Sequence, residues 1–578
     1  MKKFLLYLSL IGSFGFFSLS QDIDIANLTP SQGFKIYGAV SGGSFGQAVM
    51  SIGDINGDQK PDIIIGAPTW ESGKGIVIYG VQNNPDIIDM ASPPAGYGFQ
   101  IESSSGDSEL GGSVDNSGDV NGDGIADIVL GASPSLPYGR TNAGTAYVIF
   151  GKADGFPETL PTSSLNNGNG IKILGADVEY HLGGSVSNGG DINNDGFNDI
   201  VVGASIDASN GVFEGGTAYV IYGSSTGFPD EIDTNNFDSS LGFKVFGSKV
   251  QDQIGEGVMI GGDVNGDQID DLLISSTRYN SNGFTDNGAA IIIFGNPAGH
   301  SDIDVENLQP GQGFKIIINQ NGYRLGTSIS STGDINGDGI NDIIVGAYGP
   351  GENIFVVGEF YVIYGSASGF PDTIDVSLLT PTQGFKIVSS DQNHLFFGSR
   401  VITNGDVNGD GINDIILSAS SGTETVFVLF GSANGFPAVV DVNLLTPQQG
   451  YKILGITGTL TGSSLSTIDI NEDGIDDIVI GAPGVDYQDR TSAGAVYVIY
   501  GRGFCTEGYI NWDDQCVEEC NEPYIPRTEG DKKYCDYPCR PAQYLTWQGR
   551  CSCFCRNGIE EIINGYKFCR EGSSLGDL

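Results

Sequence analysis

The run Asp-x-Asn-x-Asp-x-x-x-Asp occurs seven times, beginning at Asp54, Asp119, Asp191, Asp263, Asp334, Asp406 and Asp469. Three carboxylates and an amide within nine residues repel one another unless a cation sits among them. In a tight turn, positions 1, 3 and 5 can aim their oxygens inward. Position 7 offers its backbone carbonyl, and a carboxylate at position 9 closes the site. Hard oxygen donors without sulfur or imidazole select Ca²⁺, whereas Mg²⁺ would want fewer protein ligands and stricter geometry. Up to seven Ca²⁺ ions are therefore expected.

The expected side-chain ligands follow the register. They are Asp54, Asn56, Asp58 and Asp62 in the first loop, and Asp119, Asn121, Asp123 and Asp127 in the second. The third has Asp191, Asn193, Asp195 and Asp199; the fourth has Asp263, Asn265, Asp267 and Asp271. The fifth has Asp334, Asn336, Asp338 and Asp342; the sixth has Asp406, Asn408, Asp410 and Asp414; the seventh has Asp469, Asn471, Asp473 and Asp477. The carbonyls would come from Lys60, Ile125, Phe197, Ile269, Ile340, Ile412 and Ile475. An EF-hand needs Glu at position 12. Here that position is Ile65, Leu130, Val202, Ile274, Val345, Leu417 or Ile480, so the loop belongs to a β-hairpin. Position 6 is glycine except at Gln59 and Gln268, where the turn should form less readily.

The loops recur at intervals of 65, 72, 72, 71, 72 and 63 residues, a period that indicates a propeller or solenoid. Each unit carries four strand signals bounded by Gly, Pro, Asn and Asp. A Gly-aromatic strand comes first, as at 33–36 and 313–316. A Leu/Phe-Gly-x-Ser-Val segment precedes the acidic loop, as at 110–114. A β-branched run with a small-residue end follows it, as at 63–68, and an aromatic β-branched strand comes last, as at 146–150. Near-continuous apolar middle strands imply sheets covered on both faces. The expected fold class is all-β: a seven-bladed β-propeller with four-stranded blades over 21–501. The Gly-Phe-Lys-Ile strand near the N-terminus has no counterpart after Tyr500. It should therefore complete blade seven as its outer edge and close the ring.

Phe45-Gly46 before the first loop and Gly66-Ala67-Pro68 after it resemble the FG-GAP repeat of integrin α-subunit propellers. Phe397-Gly398 and Gly481-Ala482-Pro483 resemble it too. Units four and six depart from the pattern at Ile274-Ser275-Ser276 and Leu417-Ser418-Ala419-Ser420. The resemblance implies calcium loops in the first hairpin of the blades, and ligand or β-subunit binding on the opposite face. The corresponding segments here are 69–74, 133–143, 206–215, 276–287, 349–357 and 484–493. Trp70, Tyr138, Arg140, Tyr279, Tyr487 and Arg490 stand in them as candidate contacts.

Met1-Lys2-Lys3, the apolar run 4–17 and Ser18-Leu19-Ser20 read as a signal peptide over 1–20. All nine cysteines lie between Cys505 and Cys569, which reads as a disulfide module over 502–578 with one thiol left over. The chain is expected to be secreted or held at a cell surface through a partner, with no membrane span of its own. Asp and Glu number 71 against 26 Lys and Arg, a net charge of −45 that argues against nucleic acid and anionic membranes as partners. The three histidines, His181, His300 and His394, read as solvated loop residues. Gly42-x-Ser44-x-Gly46 matches a nucleophile elbow but lacks the following helix that motif needs. No enzyme is expected. The leading function is a calcium-binding adhesion or recognition propeller with an extracellular protein or glycan ligand and possibly a second subunit. The alternatives are a propeller lectin and a non-catalytic accessory domain of a secreted enzyme.

Overall fold

The computed structural model describes residues 22–503 apart from 81–84, 104–108, 167, 178, 209–210 and 350–356. Beyond them it describes the backbone of eight short strands between Tyr509 and Glu571. The side chains of residues 116, 117, 138 and 188 also lie outside the description. The expected signal peptide falls on residues that are not described, and the expected disulfide pairing on side chains that are not described. Among the described residues, no helix is long and apolar enough to cross a membrane.

Seven sheets follow one another along the chain. Blade one is typical, with Ala48–Ser51, Ile63–Ala67, Lys74–Ile78 and Gly98–Glu102 paired antiparallel in that order. These are the four strands per unit that the sequence implies. Each sheet also gains a short fifth strand, which runs parallel to the fourth and lies outside the unit's own four strand segments. In blade one it is Thr159–Pro161.

The first strands of successive blades touch one another, and that of blade seven, Ser464–Ile468, touches that of blade one. The ring is therefore closed. Seven apolar clusters make up its core, each bridging two adjacent blades. One joins Ile64 and Val77 of blade one to Ile128 and Tyr147 of blade two. Another joins Val479 and Val498 of blade seven to Val49 and Ile65 of blade one. Both faces of the middle strands are thus buried, which explains their continuous Ile/Val character.

Closure uses two N-terminal strands. Gly33–Tyr37 is the fourth strand of blade seven, paired with Ala495–Ile499 as the repeat register implies, but it is not the outer edge, because Ile87–Asp89 pairs outside it. Ile23–Asp24 is the fifth strand of blade six, parallel to Ile453 and Leu454. One segment thereby stitches the last two blades.

The small-residue signature marks the closest approach between blades. A Cβ on Gly66 would fall far inside van der Waals contact with the carbonyl oxygen of Gly111 in blade two. Gly131 meets Gly183 in the same way, Gly346 meets Gly398, and Gly481 meets Gly46. The Gly of one unit's second strand lies on the Gly that opens the next unit's first strand. At these four junctions a side chain would push the blades apart, whereas units four and six carry Ser275 and Ser418 at the same place.

Candidate functional site: seven acidic hairpin loops

Each acidic loop joins the first and second strands of its blade, so all seven open on one face of the ring. The second-to-third strand loops leave by the opposite face, because neighbouring strands run antiparallel.

Inside a loop, the position 1 carboxylate organises the turn. Asp54 Oδ1 accepts the N–H groups of Gly57 (2.6 Å) and Asp58 (3.0 Å), and its Oδ2 accepts that of Gln59 (2.6 Å). The Asn56 oxygen accepts the Asp58 N–H, and Asp58 Oδ1 accepts that of Lys60, both at 2.9 Å. The same bonds recur in loop two from Asp119, Asn121 and Asp123. They recur in loop six from Asp406, Asn408 and Asp410. The Asn56 amide donates to Asp58 (3.2 Å), whereas the Asn408 amide reaches Asp414 (3.1 Å). Gln59 and Gln268 do adopt the left-handed backbone, at φ +67 and +70.

Position 9 is the buried foundation of each loop. Asp62, Asp127, Asp199, Asp271, Asp342, Asp414 and Asp477 are all fully buried. Asp62 Oδ2 accepts the Ile55 N–H (3.1 Å), and its Oδ1 accepts that of Gly80 (2.8 Å). Asp477 accepts those of Ile470 and Gly501 in the same way. Burial pushes the carboxyls of Asp62, Asp127, Asp199, Asp271 and Asp342 up to about 7, with the carboxylates at positions 1 and 5 adding to the rise. Asp477 is pushed up to about 8, and Asp414 well above the carboxylate range.

Among the described residues, no group of three or more acidic, His or Cys side chains is already drawn together as ligands of an ion. The carboxylates instead satisfy the loop's own N–H groups. The donor set nevertheless fits a hard divalent cation. It is all oxygen, and the position 9 oxygens that accept one N–H can accept a cation on the remaining lone pair. Burial and the two like-charged neighbours disfavour ionisation of the position 9 carboxylate, a conflict that a cation would relieve.

The repeat is also visible in other proteins. The FG-GAP repeat pattern matches residues 45–78, 111–149, 325–363 and 461–499, which are units one, two, five and seven. Integrin alpha-V of Gallus gallus is 26% identical over 226 residues, covering 35% of this chain and 19% of the integrin. Integrin alpha-6 of Homo sapiens is 30% identical over 193 residues, covering 33% of this chain and 15% of the integrin. The chain is an integrin-α-like FG-GAP propeller. A phosphatidylinositol-glycan-specific phospholipase D of Mus musculus is 29% identical over 132 residues, 22% of this chain and 15% of the enzyme. The matched stretch is less than a fifth of each of these relatives' own length.

Units four and six of the propeller lie outside the matched residues, as their altered signatures suggest, and so does unit three. All three fold as full blades.

The face opposite the acidic loops corrects the choice of contact residues made from sequence. Arg140 gives both guanidinium nitrogens to the Asp233 carboxylate (2.8 and 2.7 Å) and caps the Gly175 carbonyl. Arg490 treats Asp89 and the Gly38 carbonyl identically. These arginines pin loops to the ends of fifth strands. Trp70 and Tyr279 are core residues, and Tyr487 stacks on Tyr37 with ring centroids 3.7 Å apart. The Tyr138 side chain is not described. Two of the histidines are packed rather than solvated. His394 is buried, with Nδ1 2.6 Å from Ser389 Oγ. His300 packs on Phe243, centroids 4.9 Å apart, and its Nε2 bonds to the Phe294 carbonyl. That is the place of a repeated Gly-Phe-Pro element, in which Phe156 stacks on Phe99 and Phe370 on Phe314.

On this face the propeller exposes Phe213 (63%) and Val250 (60%). They are neighbours, since the Gln251 N–H donates to the Phe213 carbonyl at 3.1 Å. Neither stood out in the sequence, because exposure is set by the folded loop.

Proposed function

We propose that the chain is a calcium-binding, extracellular adhesion or recognition propeller: a ring braced on one face by up to seven Ca²⁺ ions and presenting variable loops on the other. The observation that carries this is the sevenfold recurrence of the acidic hairpin in one register. By contrast, the loops at the opposite end of the same strands differ in length and sequence. The likeness to integrin α subunits supports the adhesion class. When bound, calcium would supply the positive charge that the buried position 9 carboxylate and its neighbours lack. The Asp at positions 1, 5 and 9 and the Asn at position 3 would hold it, and the turn bonds made by position 1 place them. Phe213 and Val250 are the first candidates for contact with a protein partner.

The match to a phospholipase D favours a second reading, that of a non-catalytic propeller working beside an enzyme. A calcium-dependent cell-binding assay and a glycan array on the full chain separate the readings. Binding to a cell-surface protein, lost on chelation and weakened by Phe213→Ala without loss of folding, supports the adhesion reading. Glycan binding without protein binding contradicts it.

A further inference from the structure

The acidic loops are joined to one another around the ring by the residue at position 8. In ring order this residue is Pro61, Ala126, Asn198, Asp270, Asn341, Asn413 and Asp476. Asn198 Oδ1 accepts the backbone N–H of Asp119 (3.0 Å), while its own N–H donates to the Asp119 carbonyl (3.1 Å). Asn413 makes the same pair with Asp334 (3.1 and 3.2 Å), and Asp476 with Asp406 (2.9 and 3.1 Å). Asp270 Oδ2 accepts the Asp191 N–H at 2.9 Å, and the Asn341 N–H donates to the Asp263 carbonyl at 3.1 Å. Every partner is position 1 of the preceding blade's loop, the carboxylate that organises the whole turn.

Two junctions are chemically barred from this clamp. By place in the ring, Ala126 stands against Asp54, and alanine has no side-chain acceptor. Pro61 stands against Asp469, and proline has neither a side-chain acceptor nor an N–H. Loop one also carries the strain of Gln59 at φ +67.

We propose that the position 8 side chains Asn198, Asp270, Asn413 and Asp476 are positioning residues that preorganise the cation loops of blades two, three, five and six from the adjacent blade. Loops one and seven, which lack the clamp, bind calcium more weakly. A loop held in shape before the ion arrives loses less conformational freedom on binding. Groups that orient ligands without touching the ion commonly govern affinity by about tenfold or more. The inference rests on the calcium reading.

The test uses the full-length chain, stripped with chelator and titrated with CaCl₂. Hydrogen exchange is followed on peptides covering 334–342 and 54–62, and melting is recorded without calcium. Asn413→Ala should raise the calcium concentration for half-protection of 334–342 about tenfold. Asn413→Asp should restore it, because Asp270 and Asp476 show that a carboxylate serves. Ala126→Asn should lower the half-point for 54–62, and it keeps the test open if Asn413→Ala fails to fold. An unchanged half-point in Asn413→Ala with a lowered calcium-free melting temperature would mean a purely structural clamp and would overturn the proposal. If calcium protects no loop in any variant or in the parent, the calcium reading falls and the proposal falls with it.

Discussion

Ser418 Oγ donates to the carbonyl of Gly462 at 2.7 Å, across the junction of blades six and seven. At other junctions the hydroxyl comes from the first strand instead: Ser113 to Gly183 (2.8 Å), Ser328 to Gly398 (3.0 Å) and Ser464 to Gly46 (2.9 Å). Blade six has Arg400 at that place, and its serine has moved to the second strand, where units one, two, three, five and seven carry glycine. The departure of unit six from the repeat signature is thus an exchange of donor position that keeps the bond. Ser418→Ala should cost about 1 kcal/mol, the net worth of one hydrogen bond. Gly346→Ala, which drives a Cβ into the Gly398 carbonyl, should cost more than about 3 kcal/mol. Chemical denaturation of the two variants checks the order, and equal losses would contradict it.

Gln59 and Gln268 hold φ +67 and +70 in turns where the other loops have glycine. Gln59→Gly and Gln268→Gly should each stabilise the chain by about 0.5–1 kcal/mol, since relief of left-handed strain outweighs the added freedom of the unfolded glycine. Thermal melting reads the change. A loss of stability would show that the glutamine side chains hold the turns in some other way.

The paired arginines predict an acid-side effect. Hydrogen bonds from Arg490 and Arg140 hold the carboxyls of Asp89 and Asp233 below the usual range. A lowered folded-state value stabilises above the ordinary carboxylate pKa, and that contribution is lost as pH falls through the lowered value. Arg140→Ala should therefore lower stability at pH 7 by about 1 kcal/mol or less, because both groups keep contact with solvent. The difference from the parent should shrink as pH falls below the ordinary carboxylate pKa and through the lowered value. Melting curves across pH test this, and a difference that grows in acid would contradict it.

Much of this architecture is legible in the chain. The acidic loops give the blade count, the four strand signals give the sheet, and the unmatched Gly33–Tyr37 strand gives the closure. The fifth strands are not legible, because two or three residues such as Ile23–Asp24 are too short to show a period. The ion pairs of Arg140 and Arg490 join residues 93 and 401 positions apart, so their burial could not be read locally. The position 8 clamp was present in the sequence as Asn or Asp in five units. It gained meaning only when the loops proved to be neighbours on one face.

The closing segment should matter beyond its length. Phe34 is buried between blades seven and one, and Ile23 is buried against blade six. Phe34→Ala should cost about 3–5 kcal/mol, as for other fully buried aromatics. Limited proteolysis should then cut first in the N-terminal segment, because Phe34 anchors that segment between blades seven and one. Cleavage beginning in blades three to five would contradict this.

The central claim is that seven buried carboxylate loops are completed by calcium. Thermal unfolding of the full chain in excess CaCl₂ and in excess chelator tests it most directly. The account predicts a large fall in melting temperature on chelation, since each site held at a hundredfold excess over its dissociation constant contributes about 2.7 kcal/mol. The fall should be reversed by adding calcium back. An identical melting temperature in the two conditions would contradict it.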